Sequence, residues 1–239
     1  MDSIKINSLQ TKMVAHRGLS GIELENTNAS FIAAGNRSYY GIETDVHVTA
    51  DGRFVIFHDD TTGRICDEDL RVEDTDYAVL RALHLNDKYG DRERADTLIP
   101  SLKEYISTCK RYDKTAVLEL KNAMEKNDIA NIIKEIKELG WLERVIFISF
   151  SFQNMLYVRE LEPGHPAQFL MNEFQPDMPQ VLGAHGLDVD IEYSVLTEER
   201  IRAFHEHGVK VNCWTCDDRD FAENLAKWGI DYITSNILE

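Results

Sequence analysis

The sequence predicts a closed (β/α)₈ barrel as a single domain over residues 1–239. Eight short apolar, β-branched runs alternate with seven amphipathic stretches, no Gly/Ser linker or repeat interrupts the alternation, and 239 residues is close to the usual length of that fold. The strands are KMVAH (12–16), GIETDVHV (41–48), TAVLELK (115–121), RVIFIS (144–149), AQFLM (167–171), LDVDI (187–191), VKVNCW (209–214) and DYITS (231–235). Between them, amphipathic stretches near 27–37, 101–112, 126–139, 152–162, 176–184, 197–207 and 218–227 read as helices. The helix at 197 opens Thr197-Glu198-Glu199, a cap followed by acids in the first turn. No eighth helix follows the last strand in the sequence given, and residues 1–11 are expected to cover that position. A doubly wound open sheet is the structural alternative. One stretch breaks the rhythm, an insertion after strand two at about 60–98 with eleven acidic and six basic residues. Such long connections are either surface excursions or functional segments such as a lid over the barrel mouth.

Composition narrows the function. The chain carries 26 Lys+Arg against 42 Asp+Glu, a formal net charge of −16, which disfavours a nucleic-acid binder led by charge. A 43% apolar fraction is enough for an extensive core. No stretch approaches the roughly 18 uninterrupted apolar residues of a membrane span, and the first residues lack a signal-peptide core. A soluble cytoplasmic protein without a membrane anchor is therefore expected. Four cysteines agree with a reducing compartment. Cys213 and Cys216 lie three apart on a predicted strand, about 10 Å from one another and on opposite faces, which argues against a disulfide.

Charged residues on apolar strands point to a site. Glu43 and Asp45 are two apart on strand two, so their carboxylates leave the same face, the interior of a barrel. Paired carboxylates in a low-dielectric site share a proton or bind a cation. Glu119 ends the next barrel strand with Lys121 on the same face, and His47 continues the parity of 43 and 45 as a possible fourth ligand. Three carboxylates without cysteine form an all-oxygen set, suited to Mg²⁺ or Ca²⁺. Asp51-Gly52 marks a two-residue hairpin turn, pairing positions whose numbers sum to 103 and setting His58 opposite Asp45. His16 ends strand one beside Arg17, at the barrel end that carries active sites. An arginine fork and the Lys121 point charge in an acidic chain suit an anion, most simply a phosphate ester. Two imidazoles can serve as acid and base near neutral pH.

These residues, His16-Arg17-Gly18, Glu25-Asn26-Thr27, Glu43-x-Asp45, Thr49-x-Asp51-Gly52, His58-Asp59, Ile99-Pro100-Ser101-Leu102, Glu119-x-Lys121 and Trp214-Thr215, stand in the order found in the glycerophosphodiester phosphodiesterase family, and the resemblance runs from about residue 12 to 235. It implies a phospholipase C-like phosphodiesterase barrel that hydrolyses small glycerophosphodiesters to sn-glycerol 3-phosphate and an alcohol. By that similarity His16 and His58 would be the acid–base pair, and Glu43, Asp45 and Glu119 the ligands of a divalent metal, Mg²⁺ or Ca²⁺. Arg17 and Lys121 would hold the phosphate, Glu25 and Asn26 would line the site, and Trp214 would contact the glycerol. Two departures stand out: Ile233-Thr234-Ser235-Asn236 replaces the family's Asp-x-Pro continuation and final helix, and Asp60-Thr61-Thr62-Gly63-Arg64 follows His58-Asp59. Rival readings are lysophospholipase D-like action, which would need an apolar rim that the charged insertion does not offer, a metal-dependent sugar-phosphate isomerase or aldolase, and a non-catalytic barrel.

Overall fold

A computed structural model describes residues 2–87, 94 and 96–239. Residues 88–93 and 95 of the predicted insertion lie outside the described residues. The strands are β1 (Lys12–Ala15), β2 (Gly41–Val48), β3 (Phe54–Ile56), β4 (Thr115–Leu120), β5 (Val145–Ser149), β6 (Ala167–Met171), β7 (Asp188–Glu192), β8 (Val211–Trp214) and β9 (Tyr232–Ser235). The helices are α1 (Asn28–Gly35), α2 (Tyr77–Leu80), α3 (Leu102–Arg111), α4 (Lys126–Glu138), α5 (Phe152–Leu161), α6 (Met178–His185), α7 (Glu198–Glu206) and α8 (Arg219–Lys227).

Eight parallel strands run β8-β7-β6-β5-β4-β2-β1-β9, with β3 antiparallel on β2. The ends meet through single bonds: Asp231 N–H donates to the Val211 carbonyl at 3.1 Å, and Cys216 N–H to the Thr234 carbonyl at 3.0 Å. This is the (β/α)₈ barrel that the alternation predicts, and the open sheet is set aside. No helix follows β9 among the described residues, and residues 4–6 hydrogen-bond along 237–239, as expected of the N-terminal segment. No helix among them is long and apolar enough to cross a membrane.

Helix burial follows the periodicity. In α4, Ile129, Ile132, Ile133 and Ile136 form one buried stripe against the barrel. Ser101 and Glu104 form a reciprocal capping box at the start of α3, a feature whose loss typically costs about 1 kcal/mol. Inside the barrel Val14, Val117, Ile146, Ile148, Leu170 and Tyr232 form a small separate core, with Trp214 packed on it.

One expectation is corrected. The hairpin after β2 pairs Val46 with Ile56, His47 with Val55 and Val48 with Phe54, one residue away from the predicted register. Thr49 and Arg53 close the turn, leaving a three-residue loop with Gly52 at φ +71°, the left-handed position of that turn class. The residue beside Asp45 is thus Phe57, whose N–H donates to the Asp45 carbonyl at 3.1 Å. The insertion, moreover, is more than a solvated excursion. Its Cys66, Val72, Leu80, Leu83 and Leu85 bury a second core with Val55, Phe57 and Ile99.

Candidate active site

The site lies where β1, β2 and β4 end. Asp45 and Glu119 are direct register partners on β2 and β4, and Glu43 lies one inward step below Asp45. All three are buried, and one oxygen from each lies within 4.8 Å of the others. Burial, then the charge of Asp45, raises Glu43 well above the ordinary carboxyl range and Glu119 to about 8. Burial also opposes the charge of Asp45, but Lys121, Arg17 and His58 outweigh it and hold that carboxyl well below its usual range. Lys121 Nζ lies 2.9 Å from Glu119 Oε1 and 3.4 Å from Asp45 Oδ1. Three convergent carboxylates with no sulfur ligand fit a hard divalent cation.

Arg17 is placed by backbone geometry. Arg17 and Gly18 both adopt left-handed conformations, at φ +52° and +75°. A Cβ on Gly18 would lie 2.7 Å from the Ser30 backbone, so the loop closes onto the start of α1 only with glycine there. In that turn Arg17 N–H donates to Glu43 Oε2 at 2.8 Å, Arg17 Nη1 bonds Glu25 Oε1 at 2.8 Å, and Arg17 Nε approaches Asp45 Oδ2 to 3.8 Å. Asn26 Nδ2 donates to Asp45 Oδ2 at 2.7 Å, while its Oδ1 accepts from Thr44 Oγ1 at 2.7 Å.

The histidines approach from two sides. His16 Nδ1 bonds Asn236 Oδ1 at 2.8 Å, and its Nε2 lies 4.0 Å from Glu43 Oε2. Burial, reinforced by the Arg17 charge, lowers His16 to about 4. His58 Nδ1 bonds Asp59 Oδ1 at 2.6 Å, and Asp59 also accepts from Arg64 Nε. Burial lowers His58 too, against the pull of Asp45.

The structure thus brings His16, Arg17, Glu25, Asn26, Glu43, Asp45, His58, Glu119 and Lys121 into one connected network. Trp214 stands at the same barrel end on β8, its Nε1 donating to the Asp190 carbonyl at 3.3 Å and its ring edge-on to Phe150, but it bonds none of these groups. His47 is not brought into the carboxylate group: its Nδ1 bonds Glu73 Oε1 at 3.0 Å, and its Nε2 makes a long 3.5 Å contact with the His58 carbonyl. The thiols of Cys213 and Cys216 are free and buried, and burial pushes Cys216 up to about 12, the opposite of a redox-active thiolate.

Sequence reasoning missed Asn236, Asp217 and Arg64. Asn236 Nδ2 donates to Asp217 Oδ2 at 2.6 Å, which orients its carbonyl toward His16. Arg64, from the insertion, grips Glu25 and Asp59. For Asn236 the available signal was its position: it keeps the inward parity of Thr234 just past a strand end.

Residues 16–238 match the model of the glycerophosphoryl diester phosphodiesterase family. A glycerophosphodiester phosphodiesterase of Caldanaerobacter subterraneus is 29% identical over 232 residues, 95% of each chain. One of Bacillus subtilis is 26% identical, over 93% of this chain and 82% of its own. Among solved structures, an Oleispira antarctica phosphodiesterase in complex with the product sn-glycerol-3-phosphate is 27% identical with a TM-score of 0.85, covering 98% of this chain and 96% of that one. A glycerophosphodiester phosphodiesterase of Parabacteroides distasonis is 26% identical with a TM-score of 0.78, over 95% and 93%.

Proposed function

This chain belongs to the glycerophosphodiester phosphodiesterase family, and from that premise we propose that it hydrolyses glycerophosphodiesters to sn-glycerol 3-phosphate and an alcohol, using a divalent cation and the pair His16 and His58. The observation that carries the reading is the meeting of three buried carboxylates, two cationic side chains and two imidazoles at one barrel end. The family relatives and the product named for the Oleispira structure support it.

Glu43, Asp45 and Glu119 would hold Mg²⁺ or Ca²⁺, which when bound supplies Lewis-acid stabilisation of the phosphoryl oxygens. Arg17 and Lys121 orient the phosphate and offset the negative charge that grows on its equatorial oxygens. Glu25 fixes the Arg17 guanidinium, Asn26 fixes Asp45, and Trp214 walls the glycerol side. Because Asn236 accepts from His16 Nδ1, that nitrogen carries the proton and Nε2 presents a lone pair. His16, poorly protonated at neutral pH, therefore acts as the base toward water or the glycerol 2-hydroxyl. His58, whose Nδ1 bonds Asp59 and whose charged form the Asp45 carboxylate favours against burial, is the other member of the pair and serves the leaving oxygen. The acidic chain and its free cysteines suit a cytoplasmic enzyme of small molecules rather than of nucleic acid.

The test is ³¹P NMR of glycerophosphocholine with purified protein and Mg²⁺ or Ca²⁺. The diester resonance is expected to give way to that of a phosphomonoester. A diester unchanged under both ions contradicts the proposal.

A further inference from the structure

The opposite end of the barrel carries a cavity of about 310 Å³, set among the residues that open the strands. Lys12 begins β1, Arg144 and Lys210 stand just before β5 and β8, and Arg159 reaches in from α5. These four cations line the cavity against two carboxylates, Glu143 and Asp188. An excess of cations is out of keeping with a chain of formal net charge −16, and this face of a (β/α)₈ barrel ordinarily serves stability alone. The floor is separate from the proposed active site. Along β1 and β4, the inner-core residues Val14 and Val117 stand between Lys12 and His16 and between Thr115 and Glu119.

The cations at this floor are poorly neutralised by the protein. Arg144 pairs with Asp113 at 3.4 Å, whereas Lys12, Lys210 and Arg159 form no ion pair among the described residues. Lys12 Nζ instead lies over the Tyr40 and Tyr232 rings, 4.5 and 5.1 Å from their centroids. Arg159 donates from Nη1 to the His165 carbonyl and from Nη2 to the Gly186 carbonyl, and its buried Nε has no acceptor. Asp188 is taken up by the backbone, its Oδ1 accepting from the Lys210 N–H at 2.8 Å, and burial raises its carboxyl above the usual range. Gln168 is 1% exposed yet lines the same cavity. Its Oε1 accepts from Asn212 Nδ2 at 3.1 Å, so the amide N–H groups are what it has left to offer a ligand. Charges and donors left without partners in a half-buried site cost free energy that a bound anion would offset.

We propose that this floor is a second anion site, one that binds a small phosphate dianion apart from the catalytic phosphate groups. Lys12 and Lys210, both exposed, supply charge at its mouth, Arg159 supplies it from the wall, and the Gln168 amide donates from the buried base. Four lining cations against two carboxylates leave an excess of two, which a dianion balances and a monoanion does not. Phosphate also brings several acceptor oxygens, enough to engage a cation and the Gln168 amide together. The volume is at the lower end of small-molecule sites, and the Tyr40 and Tyr232 rings give a short carbon skeleton a surface to lie against.

The test is equilibrium dialysis of the purified protein against radiolabelled inorganic phosphate and, in a second series, against sn-glycerol 3-phosphate, for the wild type, K210E, R159Q and R17A. K210E and R159Q are each expected to weaken binding about tenfold or more, the scale of one charged hydrogen bond. R17A, altered at the far end of the barrel, should keep one anion bound per chain. Inorganic phosphate bound as tightly as the ester makes free phosphate the ligand, and tighter binding of the ester makes it a phosphorylated small molecule; either result supports the site. Thermal unfolding within about 2 °C of wild type controls for folding, and if R159Q fails that control the exposed Lys210 decides through K210E alone. Neither ligand bound by the wild type, K210E binding both as tightly as wild type, or R17A binding neither would each overturn the proposal. No arm measures turnover, so failure here leaves the phosphodiesterase reading standing.

Discussion

The side-chain carbonyl of Asn236 lies 2.8 Å from His16 Nδ1, and Asp217 holds that amide in place from its far side. The pair sets the imidazole tautomer from a residue beyond the last strand. Replacing Asn236 by alanine should lower kcat by about 10-fold to 100-fold, the usual scale for losing the partner that orients a functional imidazole. Asparagine-to-aspartate should retain more activity than alanine, because an acceptor remains at Nδ1. Steady-state kinetics of N236A and N236D, with metal affinity measured alongside, check this, and equal kcat values for wild type and N236A would remove the proposed orienting role.

His16→Ala and His58→Ala should each lower turnover on the order of 10²-fold or more, the scale of a lost acid or base. The double variant should lose little beyond the worse single one if the two act as a unit. Near-wild-type rates in both single variants would end the acid–base assignment.

Gly18 carries a structural demand that is separable from chemistry. At φ +75°, and with the Ser30 backbone 2.7 Å from where a Cβ would lie, alanine must strain or displace the loop that presents Arg17. G18A is expected to destabilise the fold by about 1–3 kcal/mol, read from urea unfolding. A variant as stable as wild type would show that the loop can move to another packing.

Cation binding should release protons. Glu119 is raised to about 8 by burial and the charge of Asp45, so below pH 8 a cation displaces the Glu119 proton when it binds, and the raised Glu43 acts in the same direction. Affinity for the ion should therefore fall as pH drops from 8 to 6, by about tenfold per unit for each proton displaced. Calorimetry in buffers of different ionisation enthalpy measures the proton count directly, and a pH-independent affinity with no proton release would contradict the placement of the ion.

The barrel was legible because its strands alternate with helices in a period that burial then follows, as in the Ile129, Ile132, Ile133, Ile136 stripe. Glu43, Asp45 and Glu119 were legible for the complementary reason that charges on apolar strands need a partner. The hairpin register slipped because Asp51-Gly52 suits a two-residue and a three-residue turn alike, and the Thr49 hydroxyl decides between them by bonding Asp51 and Arg53. His47 shares the strand parity of the acids, yet Glu73 of the insertion captures its ring, a contact between distant segments that spacing alone does not encode. Asn236 and Arg64 escaped for the same reason, since each acts across a turn or an insertion rather than along a strand.

The proposed function requires that the carboxylates of Glu43, Asp45 and Glu119 hold an ion that phosphodiester hydrolysis needs. The measurement that tests it is release of sn-glycerol 3-phosphate from glycerophosphocholine by metal-stripped protein, with Mg²⁺, Ca²⁺ or Mn²⁺ added back one at a time, for the wild type and for E119Q. Stripped wild type is expected to give no release, with release restored by at least one ion and a much higher ion concentration needed for E119Q. Undiminished release after stripping, or an E119Q response identical to wild type, would contradict it.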